Sequence, residues 1–225
     1  SKELIYKGKR LVNWCPVSKS AISDEEVIHQ EKNGKLWYLK YPLVDHEEYI
    51  VVATTRPETM LGDTAVAVNP KDERFKDYIG KKIKLPLTER EIPIISDEFV
   101  NVEFGTGCVK VTPAHDPNDF EMGQRHNLKF INIMNDDATL NENVPEKFRK
   151  ISREEARKLV VAEMESLNLL DKIEDYTNNI GFSERGGVPI EYYLSDQWYL
   201  KMNDLAKPAK DVIKSKKINF HPEHW

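Results

Sequence analysis

The run Gly105-Thr106-Gly107-Cys108-Val109-Lys110-Val111-Thr112-Pro113-Ala114-His115-Asp116-Pro117-Asn118-Asp119 joins an alternating segment, a proline stop and two carboxylates three residues apart. On a strand, side chains alternate between faces, so Cys108, Lys110 and Thr112 share one side while Val109 and Val111 take the other. One face carries groups that hold charge and protons; the other packs. Pro113 ends ladder bonding, and Asp116-Pro117 has the pattern of a helix start, with Asp at the cap and Pro at the first helical position. Asp116 and Asp119 are thereby delivered beside the polar face, forming one wall of a polar pocket. No Ser-His or Cys-His arrangement accompanies them, which argues against a covalent step on an enzyme nucleophile.

A second constellation, Tyr49 to Asp63, is a β-prone run that breaks into the polar turn Thr54-Thr55-Arg56-Pro57-Glu58-Thr59. Pro57 biases Arg56 toward extended backbone, and the hydroxyls of Thr54, Thr55 and Thr59 crowd around its guanidinium. Each residue also has a plainer use. Asp116 could only cap a helix, Asp119 could complete a capping-box-like exchange, Lys110 could snorkel to solvent, and Arg56 could pair with Glu58 on the surface. His115 is a general-base candidate that Ala114, in a tight turn, could aim away from the pocket. Cys108 reads as packing, since no neighbouring feature lowers its thiol pKa.

The elements that must position these groups are mostly strands. Leu36–Leu43, Glu48–Thr54, Ala65–Val68, Glu91–Ile95, Phe99–Glu103, Gly107–Thr112 and Lys129–Met134 alternate or carry β-branched residues. A closed or nearly closed β-barrel would satisfy their edges, giving a β-rich α+β fold with peripheral helices and extended, ribbon-like termini. One helix starts at Ser152, where Ser152 and Glu155 form a capping-box pattern before the apolar positions Ala156, Leu159, Val160, Met164 and Leu167, and it is expected on the barrel's outside. A second follows Asp116. A third begins near Asp204, with Pro208 tolerated in or near its first turn.

With 225 residues, 40% hydrophobic and 32% charged, the chain has material for one sizeable core. It has no apolar run long enough to span a bilayer and no positively charged leader, so export and membrane insertion are not expected. Its two cysteines fit a reducing cytosol. The net charge of -5 argues against broad nucleic-acid binding, so any such contact is local. Lys81, Lys82 and Lys84, then Lys147, Arg149, Lys150 and Arg153, then Lys214, Lys216 and Lys217 are candidate patches that equally read as solvated surface.

The segments TTRPETMLGDTAVAVNP and GTGCVKVTPAHDPNDFEMGQRH resemble the editing domain inserted into valyl-tRNA synthetases, and the resemblance covers nearly the whole chain. Leu11–Pro16, Ala21–Val27 and Leu194–Tyr199 are similar to the segments joining that insertion to the synthetase body. The expected organisation is a single editing domain, 1–225, with 1–34 and 188–225 as flanking segments. Leucyl and isoleucyl editing domains share the Thr-rich tip and the GTG strand, whereas the KVTPAHDP run favours the valyl branch. The family's ATP-site turn and loop are absent, so amino-acid activation is not expected here.

The resemblance implies hydrolysis of the ester between threonine and the terminal ribose of tRNA(Val), in the cytoplasm. The partners would be the tRNA 3′ end and the remainder of the synthetase. It implies Asp116 as the anionic partner of the substrate ammonium and Asp119 as the reader of the threonine hydroxyl. Lys110, Thr112, Arg56 and Thr59 would be the other pocket positions, with Thr54 and Thr55 at the tip. No cofactor is implied in this domain, ATP and Mg belonging to the body. Some relatives bind zinc through a Cys-x-x-Cys pair where Cys15-Pro16-Val17-Ser18 stands, but Ser18 replaces the second thiol and no metal site is expected. Two alternatives remain: a tRNA 3′-end binding module without catalysis, and an editing domain of leucyl or isoleucyl type.

Overall fold

In the computed structural model, which describes residues 4–44 and 46–222, strand β3 (Val27–Pro42) changes character halfway. Its first half is polar and exposed. From Leu36 onward it alternates large apolar side chains and sits between β4 (Tyr49–Thr54) and β9 (Leu170–Ser183), in a sheet ordered β4-β3-β9. Both pairings are antiparallel, Trp37 facing Thr54 across one and Val27 facing Ser183 across the other. The outer half of the β3/β9 ribbon has solvent on both faces, while the inner half contributes Leu39 and Tyr41 to the main core.

A second sheet, ordered β6-β7-β5-β8, contains β5 (Ala65–Val68), β6 (Lys82–Lys84), β7 (Glu91–Ser96) and β8 (Cys108–Val111). Strand β5 is buried on both faces: Val66 and Val68 join the main core, while Ala65 and Ala67 join a smaller cluster with Val100, Val111 and Met122. Such a strand reads as a continuous apolar run, as Ala-Val-Ala-Val does. The third sheet is ordered β10-β1-β2, from β1 (Ile5–Cys15), β2 (Ser20–Ala21) and β10 (Glu191–Leu200).

The sheets do not close into a barrel, and the expectation of one is corrected here. Two of its staves are missing. Residues 99–103 fold as turns, because Asp97 Oδ1 accepts from Phe99 N and Asn101 Oδ1 from Glu103 N, side-chain bonds that compete with a ladder. Residues 129–134 form no strand beyond the isolated bridge Met134↔Leu140. At the sheet edges, Leu43↔Ile83 is another isolated bridge, and the Thr106 hydroxyl donates to Val51 O at 2.6 Å, taking the acceptor a further strand would use. The result is a β-rich α+β fold of open sheets.

Helix α2 (Arg153–Ser166) starts as the sequence predicts, with the Ser152/Glu155 capping box formed in both directions. Ala156, Val160 and Met164 are buried in the main core, so this helix closes the core that a barrel would have enclosed. Helix α1 (Pro117–Arg125) has Asp116 as its cap. Helix α3 (Asn203–Lys214) holds Pro208 in its interior, beyond the first turn. No described helix is long and apolar enough to cross a membrane. The chain divides into two units, one of Leu11–Leu194 and one of Ser1–Arg10 with Ser195–Trp225. The first holds both hydrophobic clusters; the second contains Tyr6 stacked near Tyr199, with ring centroids 5.7 Å apart, and α3.

Candidate functional site

Register places the site's cation. Strand β8 pairs antiparallel with β5, Val66 opposite Lys110 and Val68 opposite Cys108. Lys110 and Cys108 therefore share the face of Val66 and Val68, while Val111 joins the smaller cluster with Met122 of α1, the division expected from alternation. The chain enters β8 through Gly107, at φ 79°, where a Cβ would also come within 2.6 Å of Arg74 Nη2. It leaves through Pro113, on which Gly123 of α1 sits so closely that a Cβ there would lie 2.8 Å from the ring. That contact draws the start of α1, and both of its carboxylates, against the end of the strand.

All eight predicted residues, Thr54, Thr55, Arg56, Thr59, Lys110, Thr112, Asp116 and Asp119, line one cavity of about 560 Å³. Its base is an ordered chain of donors. Lys110 Nζ donates to Thr59 Oγ1 at 2.8 Å and Thr112 Oγ1 at 2.6 Å, and lies 3.4 Å from Asp63 Oδ1. Thr112 Oγ1 in turn donates to Asp63 Oδ1 at 2.6 Å, and Tyr41 OH to Asp63 Oδ2 at 2.7 Å. Thr59 Oγ1 donates to Arg56 O at 2.9 Å, and Thr54 Oγ1 accepts from Arg56 N at 3.0 Å. All three ammonium donors of Lys110 meet protein acceptors, so it acts on the cavity through its charge and through the hydroxyls it orients. Lys110 does not snorkel to solvent; it is buried.

Asp63 is the central residue that sequence reasoning missed. It is fully buried, and burial pushes its carboxyl pKa up against the opposing pull of Lys110 and the hydroxyls of Thr112 and Tyr41. The available signal was its place between a polar turn and the apolar strand β5, where a carboxylate needs partners to be tolerated.

The two carboxylates of α1 divide their work. Asp116 Oδ1 caps the helix, accepting from Asn118 N at 2.8 Å and Asp119 N at 3.1 Å. Asp119 makes no capping-box exchange; its Oδ2 accepts from Thr112 N at 2.8 Å, tying helix to strand. Burial, reinforced by the negative charge of Asp116 and opposed by Lys110, pushes Asp119 up to about 7. It is a carboxyl poised to change charge near neutrality inside a polar cavity.

Arg56 does pair with Glu58, at 3.4 Å, but Glu58 is buried rather than on the surface, and the half-buried Arg56 also reaches Glu191 at 2.5 Å. His115 lines the cavity, with Nε2 accepting from Ile133 N at 3.0 Å. Burial, with the charges of Arg56 and Lys110, pushes its imidazole down to about 3, which leaves a poor base. Burial pushes the Cys108 thiol up to about 12, as suits a packing residue. At Cys15, Ser18 N lies 3.5 Å from the sulfur. Among the described residues no group of three or more His, Cys, Asp or Glu is arranged to hold a metal ion.

The aromatic side chains Phe99, Phe104 and Tyr176 stand at the rim, Phe104 and Tyr176 edge to face with centroids 6.4 Å apart. Phe99 is 59% exposed and Phe104 49%, which leaves ring surface open for a ligand.

Comparison with known proteins gives the chain its family. The chain is 58% identical to the valine--tRNA ligase of Prochlorococcus marinus subsp. pastoris, over 100% of its own length and 25% of that protein. It is 55% identical to the corresponding ligase of Francisella tularensis, over 99% of this chain and 24% of that one. It therefore spans about a quarter of the length of these relatives. Among solved structures, the LeuRS of the Agrobacterium radiobacter K84 ternary complex LeuRS-tRNA-LeuAMS matches the fold with a TM-score of 0.50. That match has 15% identity and covers 85% of this chain and 31% of that one. The family model described as tRNA synthetases class I (I, L, M and V) matches residues 1–225, and the chain belongs to that family.

Proposed function

We propose that this chain is the editing domain of a valyl-tRNA synthetase and hydrolyses threonine from mischarged tRNA(Val). A water attacks the ester carbonyl, the bond from carbonyl carbon to ribose oxygen breaks, and threonine and the free ribose hydroxyl leave. The observation that carries this reading is Asp119, a cavity carboxyl raised to about 7 beside Asp116 and held by the Thr112 amide. Threonine and valine are nearly isosteric, and valyl enzymes are the standing example of an apolar pocket that rejects an added hydroxyl poorly. A second pocket must reward the hydroxyl instead. Ionised Asp119 can accept from threonine, whereas valine would leave it desolvated and unpaired, a difference of about 1–3 kcal/mol.

The remaining groups fit this division. Asp116 keeps Oδ2 clear of its capping bonds and suits the substrate ammonium. The buried Lys110 charge and the Arg56 guanidinium give positive potential where an oxyanion would develop. The exposed rings of Phe99 and Phe104 suit stacking of terminal bases, which is tolerant of sequence and compatible with an acidic domain. Hydrolysis of an activated ester is redox-neutral, and the reading assigns no cofactor to this domain.

The test is release of amino acid from Thr-tRNA(Val), Val-tRNA(Val) and the corresponding leucyl and isoleucyl substrates, with Asp116→Ala and Asp119→Ala alongside. Selective release of threonine, lost in both variants, is the expected result. Binding of the tRNA end without release, in the chain and in the complete synthetase alike, would leave a binding module. Preference for a leucyl-type substrate would move the domain to that branch.

A further inference from the structure

Behind the cavity wall, three arginines close around two buried carboxylates. Arg56 Nη2 donates to Glu191 Oε2 at 2.5 Å and Arg56 Nε to Glu58 Oε1 at 3.4 Å. Each carboxylate is then gripped from α2. Arg157 binds Glu58 with two bonds, at 2.8 and 2.7 Å, and Arg153 binds Glu191 through Nη1 while donating to Pro189 O at 3.1 Å. Arg153 and Arg157 lie four residues apart in α2, on the same face, and the Ser152/Glu155 cap fixes the turn that carries Arg153. Glu58 is 0% exposed and Glu191 3%.

Only Arg56 of these five lines the cavity. The charges explain why the others are needed. Glu58 and Glu191 alone would turn Arg56 into a site of net negative charge, but the two α2 arginines offset them; Arg153 also donates to Glu154 at 2.8 Å, whose carboxylate is 61% exposed and screened by solvent, so Arg56 stays cationic toward the pocket. Geometry adds a second effect. A guanidinium is planar, and carboxylates on its Nε and Nη2 fix that plane, leaving Nη1 without a protein partner among the described residues.

We propose that Glu191 is a positioning residue for the deacylation step, holding the Arg56 guanidinium with Nη1 toward the substrate, and that Arg153 of α2 keeps Glu191 in place for this purpose. The inference rests on the deacylase reading above. Glu191 lies 135 residues from Arg56 and has no local sequence signature. Because it does not line this cavity, its loss should act on the reaction only through Arg56.

A double-mutant cycle in the complete synthetase tests this. Single-turnover hydrolysis of Thr-tRNA(Val) is measured for the parent, Glu191→Gln, Arg56→Gln and the double variant, with valine activation as the control for folding. Glu191→Gln is nearly isosteric and should lower the hydrolysis rate constant by about tenfold or more while leaving valine activation unchanged. In the Arg56→Gln background the same change should cost less than about twofold. As a second readout, the Arg56 Nε–H resonance in arginine-labelled protein should shift and exchange faster in Glu191→Gln. Equal losses in both backgrounds, an undiminished rate in Glu191→Gln, or an unmoved Arg56 resonance would overturn the positioning role. Absence of threonine release by the parent enzyme would instead overturn the deacylase reading.

Discussion

At the scale of single residues, Asp119 sets stability against function. Its native carboxyl titrates near 7, whereas an unfolded aspartate titrates near its ordinary value of about 3.9. Between these values the native state holds a proton that the unfolded chain has released, so stability falls as pH rises through the window. Asp119→Asn keeps an oxygen to accept from Thr112 N and removes the charge. At pH 8 it should be more stable than the parent by about 1–4 kcal/mol, with the difference gone near pH 4, as read from denaturant melts at the two values. A gap independent of pH would show that the carboxyl is not raised. The same ionisation should appear in catalysis: kcat/KM for threonine release should rise with pH through about 7, since the ionised form accepts the hydroxyl. Deeper in the wall, Tyr41→Phe leaves Asp63 Oδ2 without its donor and should cost about 1–3 kcal/mol of stability, measured the same way. The eight cavity residues were legible because they fall in two short runs whose strand and turn periodicity is local. Tyr41, Asp63 and Glu191 were not, because what marks them is burial against partners in distant segments. Asp63 takes its bonds from positions 22 and 49 residues away, and a buried ion partnership leaves no periodic trace in a sequence.

At the scale of elements, the site depends on one close approach. Helix α1 reaches Pro113 only because position 123 is glycine, and an added Cβ would lie 2.8 Å from two ring carbons. A helix interior normally prefers alanine to glycine, so Gly123→Ala weighs a propensity gain of about 1 kcal/mol against overpacking of about 1–3 kcal/mol. Here the clash involves a rigid ring, and we expect net destabilisation. We also expect reduced threonine release, because displacement of α1 pulls Asp119 from the Thr112 amide. A variant that is stabilised and fully active would mean that the helix seats equally well farther out. The core elements were readable for a related reason: Leu36–Leu43, Ala65–Val68 and the capped helix after Ser152 each bury a face whose period matches their structure. The outer half of the β3/β9 ribbon was not, since His29, Gln30, Glu31, Lys32 and Asn33 are exposed and no face selects apolar residues. The barrel failed in the opposite way. Apolar, β-branched segments at 99–103 and 129–134 looked like strands, yet Asp97, Asn101 and Asn132 offered their backbones nearer hydrogen-bond partners.

At the scale of the whole molecule, apolar exposure is densest in the smaller unit, which among the described residues carries as many exposed large apolar side chains as the much longer unit of Leu11–Leu194. Ile5, Trp198, Leu200, Met202, Leu205, Ile213, Ile218 and Phe220 are all exposed, and all belong to the unit of Ser1–Arg10 with Ser195–Trp225. Trp198 is 71% exposed, and helix α3 has no buried residue at all. The unit of Leu11–Leu194, by contrast, contains both hydrophobic clusters and every residue lining the cavity. Since burial of apolar surface is the main stabilising term, cohesion should reside in 11–194 and tendency to self-associate in the remainder. Excision of 11–194 should therefore yield a protein that unfolds cooperatively, at a denaturant midpoint close to that of the full chain, and that binds less of a hydrophobic dye. Broad unfolding with loss of near-ultraviolet dichroism would show instead that the strand ends beyond 11 and 194 are needed for the core. The excised unit also separates chemistry from delivery. Its pocket groups are intact, so hydrolysis of a minimal substrate, threonine esterified to a short 3′-terminal oligonucleotide, should persist at saturation. Hydrolysis of full-length Thr-tRNA(Val) should instead show a higher KM than in a complete synthetase. A loss in kcat on the minimal substrate would place part of the catalytic geometry outside 11–194.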